Sequence, residues 1–532
     1  MTRTTKSILG GVTILGITGI ICKLVGVLYR IPLAWLIGED GVGIYALVYP
    51  TFTLLLTISS AGLPSAVSRM VAQFLAKEDP SNAKRVFTSA LYLLSAVGFV
   101  AAVLMFSLSG YLSESIVKNP QTRLGFMAIA PSLFLVCIIS AFRGFMQGQQ
   151  DMVPTAISQL IEQVGKVVVA LPLAAIGMRI SLGHAAAGAL LGISITEVVN
   201  LIYIVFPFMR RRQRVSTYTQ NPKHAPVPMK VLMKRLAAIA LPITLGACIV
   251  PLSIWVDSAM LVGRLQDIGY TKDRATELYG LYAGLVINLI NVPTAFSIAL
   301  SMSLVPAVSG FFSKGDYAGV ARQSSHGLRL SFLIGFPCAL GLSILAHPIL
   351  QFFYSGGKTS AENIALAAKY MSVSGLTVVV FMVVQSTTSI LQGMRKQYIP
   401  MYSMMAGIAV KVVLNYFLVG IPSVNIHGAP ISSLVCYTIS MVPNVYYVMK
   451  FGRMSFDWVG FVFKPLLAAV IMAAAIMIGQ ALLPAGRLTT IALVALGVVV
   501  YAAAALLIKA ITPDDLRALH LGKRKLSPKG EE

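Results

Sequence analysis

The sequence predicts an all-α polytopic membrane protein with about 14 transmembrane helices. Of its 532 residues, 57% are hydrophobic and only 11% are charged, whereas a soluble protein carries about 25% charged residues. Apolar runs of about 20 residues, the length that spans a bilayer as a helix, recur along the whole chain. An internal repeat further predicts two six-helix lobes, related by a pseudo-twofold axis along the membrane normal, and two additional C-terminal helices.

Fourteen apolar runs account for most of the chain. They are centred near residues 22, 55, 97, 133, 165, 195, 247, 293, 334, 378, 410, 438, 470 and 498. The hydrophilic segments between them are too short for a soluble catalytic or nucleotide-binding domain, and the sequence has no phosphate-binding loop or zinc-protease motif. Its five cysteines lie within the runs without paired spacing, which predicts small buried side chains and no metal or other cofactor.

The first and second halves of the chain resemble each other. Gly43 and Gly280 each begin a G-aliphatic-Y triplet that leads through an apolar span to a proline and an Ala-Val-Ser segment. Further matches pair Gln147 with Gln392, Lys166 with Lys411, and Asn200 with Asn444. Each repeat holds six spans, an even number, so both halves insert in the same orientation and enclose a central cavity. The predicted domains are an N-lobe (1–212), a basic cytoplasmic linker (213–232), a C-lobe (233–452), and the last two helices with a basic tail (453–532).

The basic residues are unevenly distributed between the two sides of the membrane that the fourteen spans define. Of the 42 Lys and Arg residues, 29 fall on the side of the N-terminus, nine on the other side and four within spans. Because cytoplasmic loops are enriched in Lys and Arg, this predicts a bacterial plasma-membrane protein with both termini in the cytoplasm. The net charge of +23 therefore indicates topology and contact with anionic membrane lipids, and no nucleic-acid partner.

Two cations interrupt the first apolar run. Lys23 lies near its middle and Arg30 follows seven residues later, nearly two helical turns on, so both side chains point the same way. A charge at the centre of a bilayer costs at least about 2.5 kcal/mol, so this face is expected to meet water, protein or an anion. One interpretation places both side chains in a central cavity where they bind an anionic headgroup. The other pairs them with a neighbouring helix, or lets Arg30 extend to the membrane interface.

Three polar residues of later spans are candidates for the same region. Asp257 lies in the outer half of the seventh span, at about the height of Arg30, which predicts an inter-lobe gate formed by these two charges. The alternative is a residue that simply lies near the outer interface. Asn288 and Asn291 are three residues apart on the eighth span. They either line the cavity and bind substrate or join one helix to another.

The fifth and sixth spans carry further ionisable residues. Glu162 and Lys166 are four residues apart, the spacing and order of a helical ion pair. They either neutralise each other as such a pair or take part in ion coupling. Glu197 has no local partner, and is either a proton-carrying carboxylate or a buried protonated or hydrogen-bonded one. Arg143 is expected to be structural, at the bend between the fourth and fifth spans.

Three segments resemble one family. They are K-L-V-G-V-L-Y-R from Lys23, L-P-S-A-V-S-R from Leu63, and F-R-G-F-M-Q-G-Q-Q-D-M-V-P followed by S-Q-L-I-E-Q-V-G-K from Phe142. They are similar to the multidrug/oligosaccharidyl-lipid/polysaccharide (MOP) exporter superfamily. Within it, the similarity is to the branch of stage V sporulation protein B and the MurJ-like lipid II flippases, and it covers essentially the whole chain.

This resemblance implies a flippase that works by alternating access on undecaprenyl-linked saccharide precursors. It implies that Lys23 matches a basic position of a cationic cavity, that Arg30 lies one residue past another such position, and that the last two helices form a groove for the lipid tail. The second and eighth spans supply no basic residue to this cavity, because the second has none before Arg69 and the eighth has none at all. The cavity is therefore expected to be less cationic than in MurJ-like relatives.

The expected function is that of a transporter, not an enzyme. We predict that the protein moves an undecaprenyl-pyrophosphate-linked glycan, in the first place peptidoglycan lipid II, from the inner to the outer leaflet. It is expected to act as a monomer that uses the membrane potential or a coupled cation. The alternatives are, in order, export of another lipid-linked polysaccharide unit, drug/cation antiport, and a membrane glycosyltransferase. A role in vegetative cell-wall synthesis and a role in sporulation both stay open.

Overall fold

The computed structural model describes residues 3–216 and 225–510, and within these ranges the chain is α-helical without β-strands. The first ten helices of eight residues or more are α1 (Arg3–Ser60), α2 (Leu63–Ala76), α3 (Pro80–Ser107), α4 (Arg123–Gly148), α5 (Val153–Gly165), α6 (Leu171–Met178), α7 (Leu182–Ser216), α8 (Met229–Ala247), α9 (Ile249–Asp267) and α10 (Lys272–Tyr279). Eight more follow in the described chain: α11 (Ile287–Ser313), α12 (Tyr317–Ile344), α13 (Ala346–Tyr354), α14 (Ala361–Gly393), α15 (Tyr398–Val419), α16 (Gly428–Gly452), α17 (Lys464–Leu482) and α18 (Arg487–Leu507).

Helix α1 consists of two helices that meet at Gly38. This residue has φ 69° and ψ −178°, a backbone conformation that glycine adopts without a steric penalty. The break separates the first apolar run from the second, so α1 contains the first predicted span and, continued by α2, the second. Lys23 and Arg30 both precede the break.

The helices confirm the predicted fold class. Twelve stretches of the described chain are long and apolar enough to cross a membrane, and α8 with α9 forms a further candidate span that is bent by 49°. Because the first stretch, Ile21–Ala76, contains the break at Gly38, this total accommodates the fourteen predicted spans. Each predicted span centre lies in one of these stretches.

Contacts among the helices define two compact units. The first unit comprises Met1–Val292, Gly356–Ser360 and Val412–Ala429, and the second comprises Pro293–Ser355, Ala361–Lys411 and Pro430–Glu532. In the first unit, α4 packs against both α3 and α7, and Phe87 and Phe142 lie in its apolar core. In the second unit, α12 packs against α14 and α17, and the Tyr501 hydroxyl of α18 donates to the Leu333 carbonyl of α12 at 2.5 Å.

A glycine crossing joins the two sequence repeats inside the first unit. Helix α1 packs against the π-helical turn Gly280–Val286, which continues α10 into α11. At the closest approach, Gly280 lies against the Glu39 carbonyl oxygen and the backbone of Gly43, so that a side chain at Gly280 does not fit. Gly43 and Gly280 begin the two repeated triplets. Contact between equivalent residues is expected where a twofold axis passes between two repeats.

A buried hydrogen bond recurs in both repeats. In the first unit the Ser158 hydroxyl donates to Oδ1 of Asn200 at 2.6 Å, and in the second unit the Ser403 hydroxyl donates to Oδ1 of Asn444 at 2.7 Å. The serines are 245 residues apart and the asparagines 244. The two halves of the chain therefore share a local structure as well as a sequence pattern.

The glycine crossing is testable by adding one methyl group. Gly280→Ala places a Cβ against the Glu39 carbonyl oxygen, and overpacking of this kind costs about 1–3 kcal/mol. We expect the thermal unfolding midpoint of the purified protein to fall by several degrees. The control is Gly310→Ala in α11, where nothing lies within 4 Å of the added methyl group. Equal midpoints for the two variants would show that the crossing is not tight.

Candidate functional site

The cationic residues of α1 line a cavity of about 340 Å³ in the first unit. Lys23 and Arg30 belong to α1, Lys166 directly follows α5, and Asn288 and Asn291 lie at the start of α11. Five of the eight site residues singled out in the sequence therefore share one cavity. Further polar and aromatic lining comes from Tyr29, Tyr45, Tyr49 and Gln163.

The guanidinium group of Arg30 is held by two stacked tyrosines. Its Cζ lies 5.9 Å from the ring centre of Tyr45 and 5.7 Å from that of Tyr49, within the range of a cation–π contact. The two rings stack at 5.5 Å with an interplanar angle of 15°. Both tyrosines follow Gly38, so the break in α1 returns the chain towards Arg30. The contact restrains the guanidinium without neutralising its charge.

Lys166 adds a third cation to the cavity. Its Nζ donates to Oε1 of Gln163 at 3.3 Å, and both side chains belong to the cavity lining. None of the ion pairs between residues of the described ranges involves Lys23, Arg30 or Lys166. The cavity therefore keeps a net positive wall, which suits an anionic ligand.

The residues that α11 contributes are uncharged. Asn288 is buried, and its Nδ2 donates to the Val27 carbonyl of α1 at 3.3 Å. Asn291 lies about one turn further on and is exposed. The cavity is thus lined by cations on α1 and beside α5, and by amides on α11. Amide groups offer both hydrogen-bond donors and acceptors.

Glu162 does not form the ion pair that its spacing predicts. Its Oε1 lies 2.6 Å from Nη2 of Arg143, while Lys166 is bonded to Gln163. The prediction is wrong because Arg143 of α4 reaches the same carboxylate. The backbone from Glu162 to Gly165 is α-helical and the π-helical turn begins at Lys166, so the four-residue spacing itself is intact.

Arg143 connects α4 to α5 through more than this ion pair. Its Nε and Nη2 donate to the Ser158 hydroxyl at 3.1 and 2.7 Å. The same hydroxyl donates onward to Asn200 of α7. This arrangement agrees with the structural role that the sequence predicts for Arg143 at the bend between two spans.

Glu197 belongs to the same network. Nδ2 of Asn200 donates to Oε2 of Glu197 at 3.0 Å and to Oε1 of Glu162 at 3.2 Å. Glu197 is only 4% exposed, which favours the hydrogen-bonded interpretation of this residue. The network places two carboxylates beside one arginine, and none of these three side chains belongs to the cavity lining.

The second repeat provides an internal comparison for this network. It retains the hydrogen bond between Ser403 and Asn444. The positions equivalent to Arg143, Glu162 and Glu197 are Thr388, Gly407 and Met441. The serine–asparagine bond forms without those charges, so the ionisable residues are a feature of the first repeat alone. Pairing of the helices does not require them.

Asp257 does not belong to the cavity lining. Its Oδ1 accepts a hydrogen bond from Nδ2 of Asn415 in α15 at 2.8 Å, and both residues are buried. Further along α9, the Cζ of Arg264 lies 4.1 Å from the ring centre of Tyr416. Two polar contacts therefore link α9 to α15 in the first unit. The gate between Arg30 and Asp257 stays a prediction.

Sequence reasoning missed the aromatic part of the site. Tyr29, Tyr45 and Tyr49 stand in apolar spans, where tyrosine is common near the membrane interface. The available signal is the four-residue spacing of Tyr45 and Tyr49, which places both rings on one helical face. Their contact with Arg30 follows from the break at Gly38, which the sequence pattern does not locate.

Known families match most of the chain. The family described as "Polysaccharide biosynthesis protein" matches residues 8–312, and the MatE family matches residues 282–417. The chain is 27% identical to stage V sporulation protein B of Bacillus subtilis (strain 168) over 80% of each chain. It is 24% identical to the lipid II flippase MurJ of the same organism, over 82% of this chain and 81% of the relative.

Solved structures share the fold. The lipid II flippase MurJ in an inward closed conformation aligns with a TM-score of 0.68, over 94% of this chain and 99% of that chain, at 13% identity. A multidrug resistance MATE family transporter of the MOP superfamily, in an inward-facing conformation, aligns with a TM-score of 0.64 over 82% and 97%, also at 13% identity. At this level of identity the alignments establish the fold alone.

The Arg143–Glu162 ion pair is testable by a double-mutant cycle. Arg143→Met leaves the partly buried Glu162 carboxylate without its cation, and removal of one partner of a buried pair costs at most about 3–5 kcal/mol. We expect Glu162→Gln in the same chain to restore part of this stability, with a coupling energy of about 0.5–3 kcal/mol, measured by unfolding in detergent. The control cycle combines Lys166→Gln with Glu162→Gln and should be additive. Additivity in both cycles would contradict direct pairing.

Proposed function

The chain belongs to the polysaccharide biosynthesis protein family, in the branch of the MOP exporter superfamily that contains stage V sporulation protein B and MurJ, and we propose on this premise that it flips a lipid-linked, pyrophosphate-bearing glycan. The headgroup passes through the cavity from the inner to the outer leaflet while the lipid tail stays in the bilayer. The first candidate substrate is the peptidoglycan precursor lipid II.

The observation that carries this proposal is a cavity with three cations inside a membrane protein. Lys23, Arg30 and Lys166 line it together. Charged side chains at membrane depth are costly, and where they occur they mark substrate or ion pathways. Lysine and arginine bind phosphate oxygens through charge-assisted hydrogen bonds. The MurJ relative of Bacillus subtilis is a lipid II flippase, which supports a lipid-linked substrate for this cavity.

The proposal includes an orientation and an energy source. Both termini lie in the cytoplasm, because the basic residues are concentrated on their side of the predicted spans. The membrane potential or a coupled cation supplies the energy, and Glu162 and Glu197 are the candidate residues for coupling. The basic cytoplasmic segments contact anionic lipids, and the protein acts as a monomer.

A second candidate substrate is another lipid-linked polysaccharide unit. The residues of α11 that line the cavity are amides, not cations. The cavity is therefore less cationic than the resemblance to MurJ-like proteins implies. This observation favours a glycan lipid with a different headgroup as the alternative to lipid II.

The peptidoglycan assignment is tested by depletion in a bacterium that lacks redundant flippases. We expect lipid II of the outer leaflet to fall and that of the inner leaflet to accumulate, with lipid II quantified in each leaflet. A plasmid copy with Lys23→Gln should restore little of the outer-leaflet pool, because it removes a charge from the cavity. The control, Lys84→Gln, removes an exposed charge of α3 and should complement fully. Unchanged outer-leaflet lipid II after depletion would exclude the peptidoglycan assignment and leave other lipid-linked glycans as substrates.

The outer gate between Arg30 and Asp257 has its own test. Arg30→Asp and Asp257→Arg each place like charges at the proposed gate, so each should abolish complementation in the depleted strain. The double exchange restores opposite charges and should recover growth at least in part, with equal protein levels checked by immunoblot. A double variant that is as inactive as either single variant, although it binds the diphosphate headgroup as tightly as the wild type, would rule out the gate.

A further inference from the structure

We propose that the cavity binds its headgroup in one fixed orientation, with the diphosphate against α1 and α5 and the first sugar against α11. This inference rests on the proposed function and specifies which residues recognise which part of the substrate. It gives Tyr29 and Lys166 a place in the diphosphate site, and it makes Asn288 and Asn291 the residues that detect the sugar.

The first argument is the division of charge within the cavity. Lys23, Arg30 and Lys166 all lie on α1 or directly after α5, and the lining residues of α11 are neutral. The diphosphate is the most strongly charged part of a glycan lipid of this class. Its oxygens gain charge-assisted hydrogen bonds only on the cationic side. The electrostatic energy of binding is therefore more favourable when the diphosphate faces α1 and α5 than when it faces α11.

The second argument is the hydroxyl group of Tyr29. Its side chain is 2% exposed. Among the polar side-chain atoms of the cavity lining that the structure describes, this hydroxyl is the one that is buried without a hydrogen-bond partner. A buried donor without an acceptor is costly. Tyr29 lines the cavity, and a phosphate oxygen bound beside Arg30, the next residue of α1, supplies that acceptor.

The third argument is the restraint on Arg30. Tyr45 and Tyr49 hold its guanidinium through cation–π contacts at 5.9 and 5.7 Å. A guanidinium presents its donors as a planar fork that matches a phosphate group. Because the fork is already restrained, less conformational freedom is lost when an anion binds. The cationic side of the cavity is thus prepared for a diphosphate.

The amides of α11 suit the sugar. A sugar hydroxyl both donates and accepts hydrogen bonds, and so does an asparagine side chain. Asn288 is buried and fixed by its bond to the Val27 carbonyl, whereas Asn291 is exposed and lines the same cavity. The glycan is therefore recognised by α11, and the diphosphate by the first repeat.

The experiment uses two probes that differ only in the sugar. They are the terminal methyl ester of geranylgeranyl diphosphate, which has the same charge as a glycosylated diphosphate, and geranylgeranyl-diphospho-N-acetylglucosamine. Dissociation constants are measured for both on the full-length protein in phosphatidylcholine nanodiscs. We expect the glycosylated probe to bind more tightly to the wild type. Lys23→Gln and Lys166→Gln should each weaken both probes about tenfold, and Tyr29→Phe should weaken both about fivefold.

Substitutions in α11 should change the dissociation constants of the two probes to different extents. Asn291→Ala should weaken the glycosylated probe about fivefold, by loss of hydrogen bonds to the sugar, and leave the dissociation constant of the methyl ester unchanged. Asn291 is the primary variant because Asn288 also supports the packing of α11 on α1. Asn288→Ala is the second variant, used if it elutes as a folded monodisperse protein. Lys84→Gln is the control and should change neither dissociation constant.

Four results would count against the inference, in three different ways. Equal weakening of both probes by Asn291→Ala, or weakening of the glycosylated probe alone by Lys166→Gln, would overturn the fixed orientation and leave the proposed function intact. Wild-type affinity for both probes in Tyr29→Phe would remove Tyr29 from the diphosphate site. A wild-type protein that binds neither probe would overturn the proposed function itself.

Discussion

The cavity depends on the backbone contact between Gly43 and Gly280. A Cβ on Gly280 would lie 2.9 Å from the Gly43 nitrogen, so α1 and the turn that leads into α11 pack backbone against backbone. This brings Asn288 within hydrogen-bonding distance of the Val27 carbonyl. A larger residue at Gly280 would move the amides of α11 away from the cations of α1. The two glycines of the repeated triplet thus set the distance between the amides of α11 and the cations of α1.

The break at Gly38 has a complementary effect on the same site. It reverses the chain, so that Tyr45 and Tyr49 pack on Arg30. Two stacked rings give a guanidinium at membrane depth an attractive neighbour without cancelling its charge. The site therefore combines a positive charge that stays available to a ligand with a side chain that is held in place.

Much of this architecture could be predicted from the sequence. In lipid, backbone groups must be satisfied inside a helix, so long apolar runs reveal the spans. The cost of charge in lipid singled out Lys23, Arg30 and Lys166, which line one cavity. What could not be predicted depends on contacts between helices and on local backbone geometry. Arg143 of α4 takes the place of Lys166 as the partner of Glu162, and the break at Gly38 brings Tyr45 and Tyr49 to Arg30. Such features leave no periodic pattern in a single sequence.

The three cations of the cavity also have a consequence for turnover. Each elementary charge that crosses a membrane changes the free energy by about 2.3 kcal/mol per 100 mV. Lys23, Arg30 and Lys166 lie within candidate spans, so the membrane voltage acts on the substrate-free transporter. In the flippase cycle that we propose, a bound diphosphate would carry the opposite charge and cancel most of that force. The voltage would then act chiefly on the return of the unloaded protein, and the loaded step would be nearly electroneutral.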